Sequence, residues 1–235
     1  AVVILRRMVA CSSCILAGRL RCLRIRACWR ADENVSACVD AVRGAGIWYS
    51  ANNGTTWQQL PSTASNSDFY FVQDIAVNTN GKVFAATQNG VYRSTDNGTT
   101  WQQVLLPTLG STCAADLEIA SDQTIFATFG KITSSGSGIF KSTDQGSTWT
   151  NITPDNTGAR TELALAPSTS GSLQVIYAVS TYGDSPPNTG KVKWFKKSSD
   201  AGSTWTTITS GLPTTNLNRI AMEYAPSNPS TVYLL

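Results

Sequence analysis

The sequence predicts an all-β fold: part of a β-propeller with four-stranded antiparallel blades, three complete and two partial. Three observations predict it. An octet recurs four times, each octet closes a hairpin, and two further short apolar strands precede it. Repeats of this length are the signature of stacked supersecondary units.

The octets are Ser50–Trp57, Ser94–Trp101, Ser142–Trp149 and Ser198–Trp205, with starts 44, 48 and 56 residues apart. Each reads S-x-D-x-G-x-T-W, carried by Ser50, Asn52, Gly54 and Trp57; Ser94, Asp96, Gly98 and Trp101; Ser142, Asp144, Gly146 and Trp149; and Ser198, Asp200, Gly202 and Trp205. The first has Asn in place of Asp. An Asp or Asn side chain can take the backbone N–H groups that follow it and close a turn. The Gly supplies a backbone conformation that a side chain resists. The Trp opens the outgoing strand and brings a large ring to bury against the turn.

Apolar and aromatic residues lead into each turn, as in Val91-Tyr92-Arg93 and Ile139-Phe140-Lys141. Further upstream lie two more strands. The first is small and apolar: Asp74–Val77, Asp116–Ile119, Glu162–Leu165 and Arg219–Met222. The second is β-branched and aromatic: Val83–Ala86, Thr124–Ala127, Val175–Ala178 and Thr231–Leu234. Four short antiparallel strands per unit make a propeller blade. Complete blades are expected at about 72–105, 113–152 and 160–208. A hairpin at 46–60 and two inner strands at 219–235 are left over. They could close a four-blade ring; a piece of a larger ring, whose remaining blades act as partners, is the expectation.

Composition divides the chain in two. Residues 1–44 hold eight Arg, no Lys, three acids and five of the six Cys. Residues 45–235 hold three Arg, seven Lys and twelve acids, a net charge of −2. The first part reads as an Arg/Cys-rich segment outside the fold, of the kind a coding-frame error produces. The second reads as the propeller. Cys11 and Cys14 have C-x2-C spacing, but no second pair follows and the chain has no His. Zinc sites usually show both halves, so no metal is expected, and nothing signals a cofactor. Five cysteines at irregular spacing fit a disulfide framework poorly. The near-neutral body has no basic stripe for nucleic acid. No apolar run is long enough to span a membrane.

The octets resemble the Asp-box, or BNR, repeat of sialidases, sortilin-type receptors, xyloglucan-degrading glycoside hydrolases and many secreted bacterial propellers. The resemblance covers about residues 46–235. It implies that the boxes are structural turns at the blade periphery, away from the ligand face. It also implies export, to the cell surface or beyond.

On the opposite face, Asp74, Asp116 and Glu162 stand at equivalent positions where inner strands enter. Arg160 and Arg219 are equivalent to one another. These five are candidate ligand contacts, forming a mixed-charge rim for sugars or a partner's charged groups. The alternative is that the carboxylates bond the amides of neighbouring strands. The long loop 181–190 adds Tyr182 and Asp184 as candidates, since loops on rigid scaffolds often carry function.

Sialidases hold the substrate carboxylate with three Arg. Here the body offers Arg93, Arg160 and Arg219, and Arg93 adjoins a box. Xyloglucanase-like hydrolysis needs two carboxylates flanking the bond, and no motif selects a pair. The sequence therefore favours a non-catalytic propeller that binds glycan or protein, with a glycoside hydrolase as the alternative.

Overall fold

The computed structural model describes residues 44–108, 112–131, 134–166, 174–182, 191–212, 220–225 and 228–234, together with the backbone of 3–5. Three complete four-stranded antiparallel blades run in chain order from inner to outer strand. They are β4 (Val72–Val77), β5 (Val83–Thr87), β6 (Gly90–Ser94) and β7 (Gln102–Leu105); β8 (Ala114–Ile119), β9 (Ile125–Lys131), β10 (Ser134–Ser142) and β11 (Thr150–Asn151); and β12 (Thr161–Ala166), β13 (Val175–Thr181), β14 (Val192–Ser198) and β15 (Thr206–Thr207). They are flanked by a three-stranded sheet of β1 (Val3–Leu5), β2 (Trp48–Ser50) and β3 (Gln58–Gln59), and by a pair, β16 (Met222–Ala225) and β17 (Asn228–Leu234). The blades are numbered one to five below, counting the partial ones.

Three details differ from the sequence reading. Val3–Leu5 lies along β2, with Val3 opposite Ser50. That is the register in which Val83, Ile125 and Ile176 face Ser94, Ser142 and Ser198. The first blade therefore has a strand in the second position, where only a hairpin was expected. In the third blade, the second strand runs past Ala127, where it was expected to end, as far as Lys131, which lies opposite Ser134. In the fifth, the inner strand begins at Met222, where it was expected to end. Met222 pairs with Leu234 and is buried, whereas the apolar run Ile220-Ala221 precedes the pairing. Apolarity marked the core there without fixing register.

Alternation along each strand sends successive side chains to opposite neighbours. Ile125, Ala127 and Phe129 pack with Phe84 and Val91 of the second blade. Phe126 turns the other way, against Leu163, Ile176 and Trp194 of the fourth. The blade cores are thus interblade cores, as in face-to-face sheet packing.

Each octet folds as the residue pattern requires. In all four, the Ser Oγ donates to the Asp or Asn Oδ1 at 2.7–2.9 Å and accepts the Gly N–H at 2.7–2.8 Å. The same Oδ1 accepts the Thr N–H. In the three Asp boxes, the Thr hydroxyl donates to Oδ2 at 2.6 Å. Asn52 reverses that bond, donating from Nδ2 to Thr56 Oγ1 at 2.8 Å. The residue before each Gly is also left-handed: Asn53, Asn97, Gln145 and Ala201 have φ between 54° and 60°. The sequence reading assigned this conformation to the Gly alone. The box Trp rings are half-buried, resting on neighbours as Trp101 does on Phe69 at 5.0 Å.

The boxes also join blades. Arg93 Nη1 donates to Gln145 O at 2.9 Å, and Lys141 Nζ to Ala201 O at 3.0 Å. Each cation immediately precedes its own box and reaches the left-handed residue of the next one. Ser62 Oγ likewise donates to Gly98 O at 2.6 Å.

These turns make an acid-sensitive element. The Thr hydroxyl first, then the Thr amide and the Ser hydroxyl, hold Asp96, Asp144 and Asp200 at about 2, below the ordinary 3.8. A carboxylate depressed in the folded state stabilises it above the unfolded pKa, and that contribution fades as pH falls toward the folded one. Thermal unfolding is expected to be insensitive to pH down to about 4, then to fall toward pH 2. Replacing the three Asp by Asn, the residue already used at Asn52, is expected to flatten that decline. An unchanged profile in the triple variant would place the acid sensitivity elsewhere.

Candidate functional site

The inner strands carry the acids singled out in the sequence. Residues Val72 and Asp74, and Ala114 and Asp116, flank a register shift in their pairing with β5 and β9. This bulge sets the carboxylates toward the next blade. Asp74 Oδ2 accepts the Leu117 N–H at 3.1 Å, across one joint. Asp116 Oδ2 accepts the Leu163 N–H at 2.9 Å, across the next, while its Oδ1 takes the Leu117 N–H at 3.1 Å. Asp116 is 3% exposed. The structure therefore places Asp74 and Asp116 as links between inner strands, the alternative raised by their position. A buried carboxylate is tolerated when backbone N–H groups surround it in this way.

The fourth blade departs from this plan. β12 pairs with β13 without a shift and carries the longer Glu162. Arg160 Nε donates to Glu162 Oε1 at 2.7 Å, and both side chains are nearly buried. The pair sits beside the Ser180 hydroxyl, which donates to Arg160 O at 3.1 Å. Arg160 and Glu162 are thus brought together as a charged pair at the mouth between the third and fourth blades.

Tyr182 follows β13 and is 36% exposed. Its amide donates to Lys191 O at 2.9 Å, closing the base of the long loop. Lys193 Nζ stands 4.5 Å from the ring centroid, a cation–π contact that the sequence gave no means of finding. Asp184 and Arg219 lie outside the described residues. Arg93 is held by its neighbouring box, apart from this face. Cys113, buried before β8, is disulfide-bonded, a bond the irregular cysteine spacing did not indicate. Among the described residues no cluster of His, Cys, Asp and Glu suits a metal ion. No helix among them is long and apolar enough to cross a membrane.

The fold is similar to a GH74 xyloglucanase from Xanthomonas campestris, with TM-score 0.61 at 15% identity over 87% of this chain and 35% of that one. A GH74 enzyme from Niastella koreensis gives 0.59 at 18% identity, over 80% and 32%. A protein of unknown function from Dyadobacter fermentans gives 0.53 at 16% identity, over 89% and 66%. The chain spans about a third of the length of the two GH74 proteins. At such identities the likeness is one of fold. No curated protein matches the sequence. A family model described as sortilin, neurotensin receptor 3, matches residues 45–183, more than half of the sequence. The chain belongs to the Sortilin-Vps10 family of β-propellers.

Proposed function

We propose that the chain is a non-catalytic propeller that binds glycan or protein, in a secreted or surface protein, with residues 45–235 as the propeller and Val3–Leu5 adding a strand to its first blade. The observation that carries this reading is the engagement of the acids. Asp74 and Asp116 hold the inner strands of adjacent blades together, and Glu162 is paired with Arg160. A hydrolytic pair needs two carboxylates free to approach the bond from opposite sides. Carboxylates committed to backbone amides in a joint are poorly suited to that work. The exposed Tyr182 ring beside Lys193 offers an amphipathic contact for a sugar face or a peptide. Arg160 and Asp184 would extend it. The family is described by a receptor, neurotensin receptor 3, which agrees with a binding role.

The second reading, part of a glycoside hydrolase propeller, is favoured by the fold likeness to the GH74 proteins. Hydrolysis assays with xyloglucan and a fluorogenic sialoside separate the two. No turnover above background is expected from the 235-residue chain. Glycan-array or peptide binding weakened by Tyr182→Ala or Arg160→Ala is expected instead. Turnover that disappears in Asp74→Ala, Asp116→Ala or Glu162→Ala while the variant remains folded would establish the hydrolase reading.

A further inference from the structure

We propose that the outer edge of β17 is an assembly surface, and that its occupant is the hairpin β2–β3 of a second copy of this chain, exchanged for that copy's Val3–Leu5. The inference does not rest on the reading of the loop face.

Register carries it. β12 and β16 end three residues beyond Leu163 and Met222, at Ala166 and Ala225. Leu163 and Met222 are both buried, and they lie opposite Ala178 and Leu234. Two residues earlier in each second strand, Ile176 and Val232 are therefore equivalent. Ile176 faces the box residue Ser198, just as Val3 faces Ser50. Val232–Leu234 and Val3–Leu5 are thus the same three positions of a blade's second strand. Among the described residues, the fifth blade has only its two inner strands, and the first has β1, β2 and β3 with none inside β1. Each holds what the other lacks. In the structure β17 pairs with β16 alone, so the two halves do not meet within one chain.

The side chains of the two halves match as those of the interblade joints do. Lys197 precedes its box as Arg93 and Lys141 precede theirs, but its Nζ stands 5.5 Å from the Tyr177 ring centroid instead of on a box carbonyl. The counterpart in the second copy is the carbonyl of Asn53, left-handed at φ 54°. Leu60 and Ile152, each three residues past a box Trp, lie against Gly98 and Gly202 of the next box, and Ile208 has the same offset. Gly54 has room for it, since a Cβ there would meet only Trp57 of its own turn. Tyr233 is 65% exposed, whereas Phe84 and Phe126, at its position in the second and third blades, are fully buried against the blade that follows. An open strand edge is a template for another strand. Exchange of one strand for an equivalent one costs little. Val3–Leu5 gives β2 three pairings. Val232–Leu234 would give the same three, with β16 behind them and the Lys197 and Ile208 contacts added. The contact is head-to-tail, so it extends into rings or open chains of copies.

The test is light scattering after gel filtration of the 235-residue chain over a concentration series. A mass that rises with concentration is expected. Ile4→Pro weakens β1 and frees the edge of β2, and should move assembly to about ten-fold lower concentration. Tyr233→Asp sets a charge on the exposed edge and should abolish assembly, while Lys197→Ala should weaken it several-fold. Neither of these two changes a fully buried residue, so both should keep the circular dichroism of the monomer, and they decide the matter if Ile4→Pro fails to fold. A mass of one chain at every concentration up to the solubility limit would overturn the proposal, as would assembly indifferent to both Tyr233→Asp and Lys197→Ala. A monomer whose unfolding midpoint falls in Tyr233→Asp would also overturn it, assigning β17 to the hairpin of its own chain.

Discussion

Asp116→Ala is expected to destabilise the chain by about 3 kcal/mol, as two buried amides lose their acceptor at roughly 1–3 kcal/mol each. The carboxylate bridges the Leu117 and Leu163 N–H groups, one in its own inner strand and one in the next. Leu117 keeps the bond to Asp74, so the larger share of the loss falls on Leu163. Chemical denaturation checks this. Asp116→Asn keeps an accepting oxygen for one amide and should lose about half as much. Equal losses in the two variants would mean that the negative charge, rather than the acceptor geometry, matters. A loss below about 0.5 kcal/mol, the range of ordinary surface substitutions, would show that the joint is held without it.

A second large effect is expected from Gly98→Val or Gly202→Val. Both glycines are left-handed, at φ 87° and 88°, where a β-branched residue is strained. Both also touch the preceding blade. A Cβ at Gly98 would meet Leu60 at 2.5 Å, and one at Gly202 would meet Ile152 at 2.4 Å. Backbone strain of roughly 1–3 kcal/mol adds to a smaller overpacking cost, since the atoms met are δ-methyl ends of Leu60 and Ile152 that can partly turn aside, so each substitution should remove about 2–4 kcal/mol. Gly81→Val is the matched control: φ is 78°, yet no atom lies within 4 Å of its Cβ. It should suffer the backbone strain alone. If all three variants lose the same amount, the close approach between blades carries no energy.

Much of this was legible in the sequence because the octet encodes a turn and its strands locally. Ser, Asp, Gly and Thr at fixed offsets close their own hydrogen bonds, and a period-2 apolar pattern supplies the sheets. Long-range register was less legible. The last inner strand begins at Met222, the residue at which apolarity alone ended it, and the second-position strand at Val3–Leu5 lies far from its hairpin in sequence. For the candidate site, equivalent positions in successive repeats identified Asp74, Asp116 and Glu162. Position cannot tell whether a carboxylate faces solvent or a neighbouring amide, since that depends on the bulge and on the approach of the next blade. The Lys193–Tyr182 contact is brought together only by tertiary packing, without a motif of its own.

The cations ahead of the boxes have a consequence for how such a chain changes in length. Arg93 and Lys141 both reach the carbonyl of the left-handed residue in the following turn, and Arg93 adds the Ser147 hydroxyl of that turn at 3.3 Å. A backbone carbonyl has no side-chain identity, and Gln145 and Ala201 serve equally. This fastening is therefore nearest-neighbour and places no demand on the side chain of the left-handed residue, while the apolar interblade cores carry the sequence-specific part of the fit. Growth between boxes, from a spacing of 44 to one of 56, can then accumulate in the opposite loops while the fastening stays constant. A scaffold with that property separates two kinds of mutation in space: those on the box side are filtered by fit, and those on the loop side are free to explore new ligands.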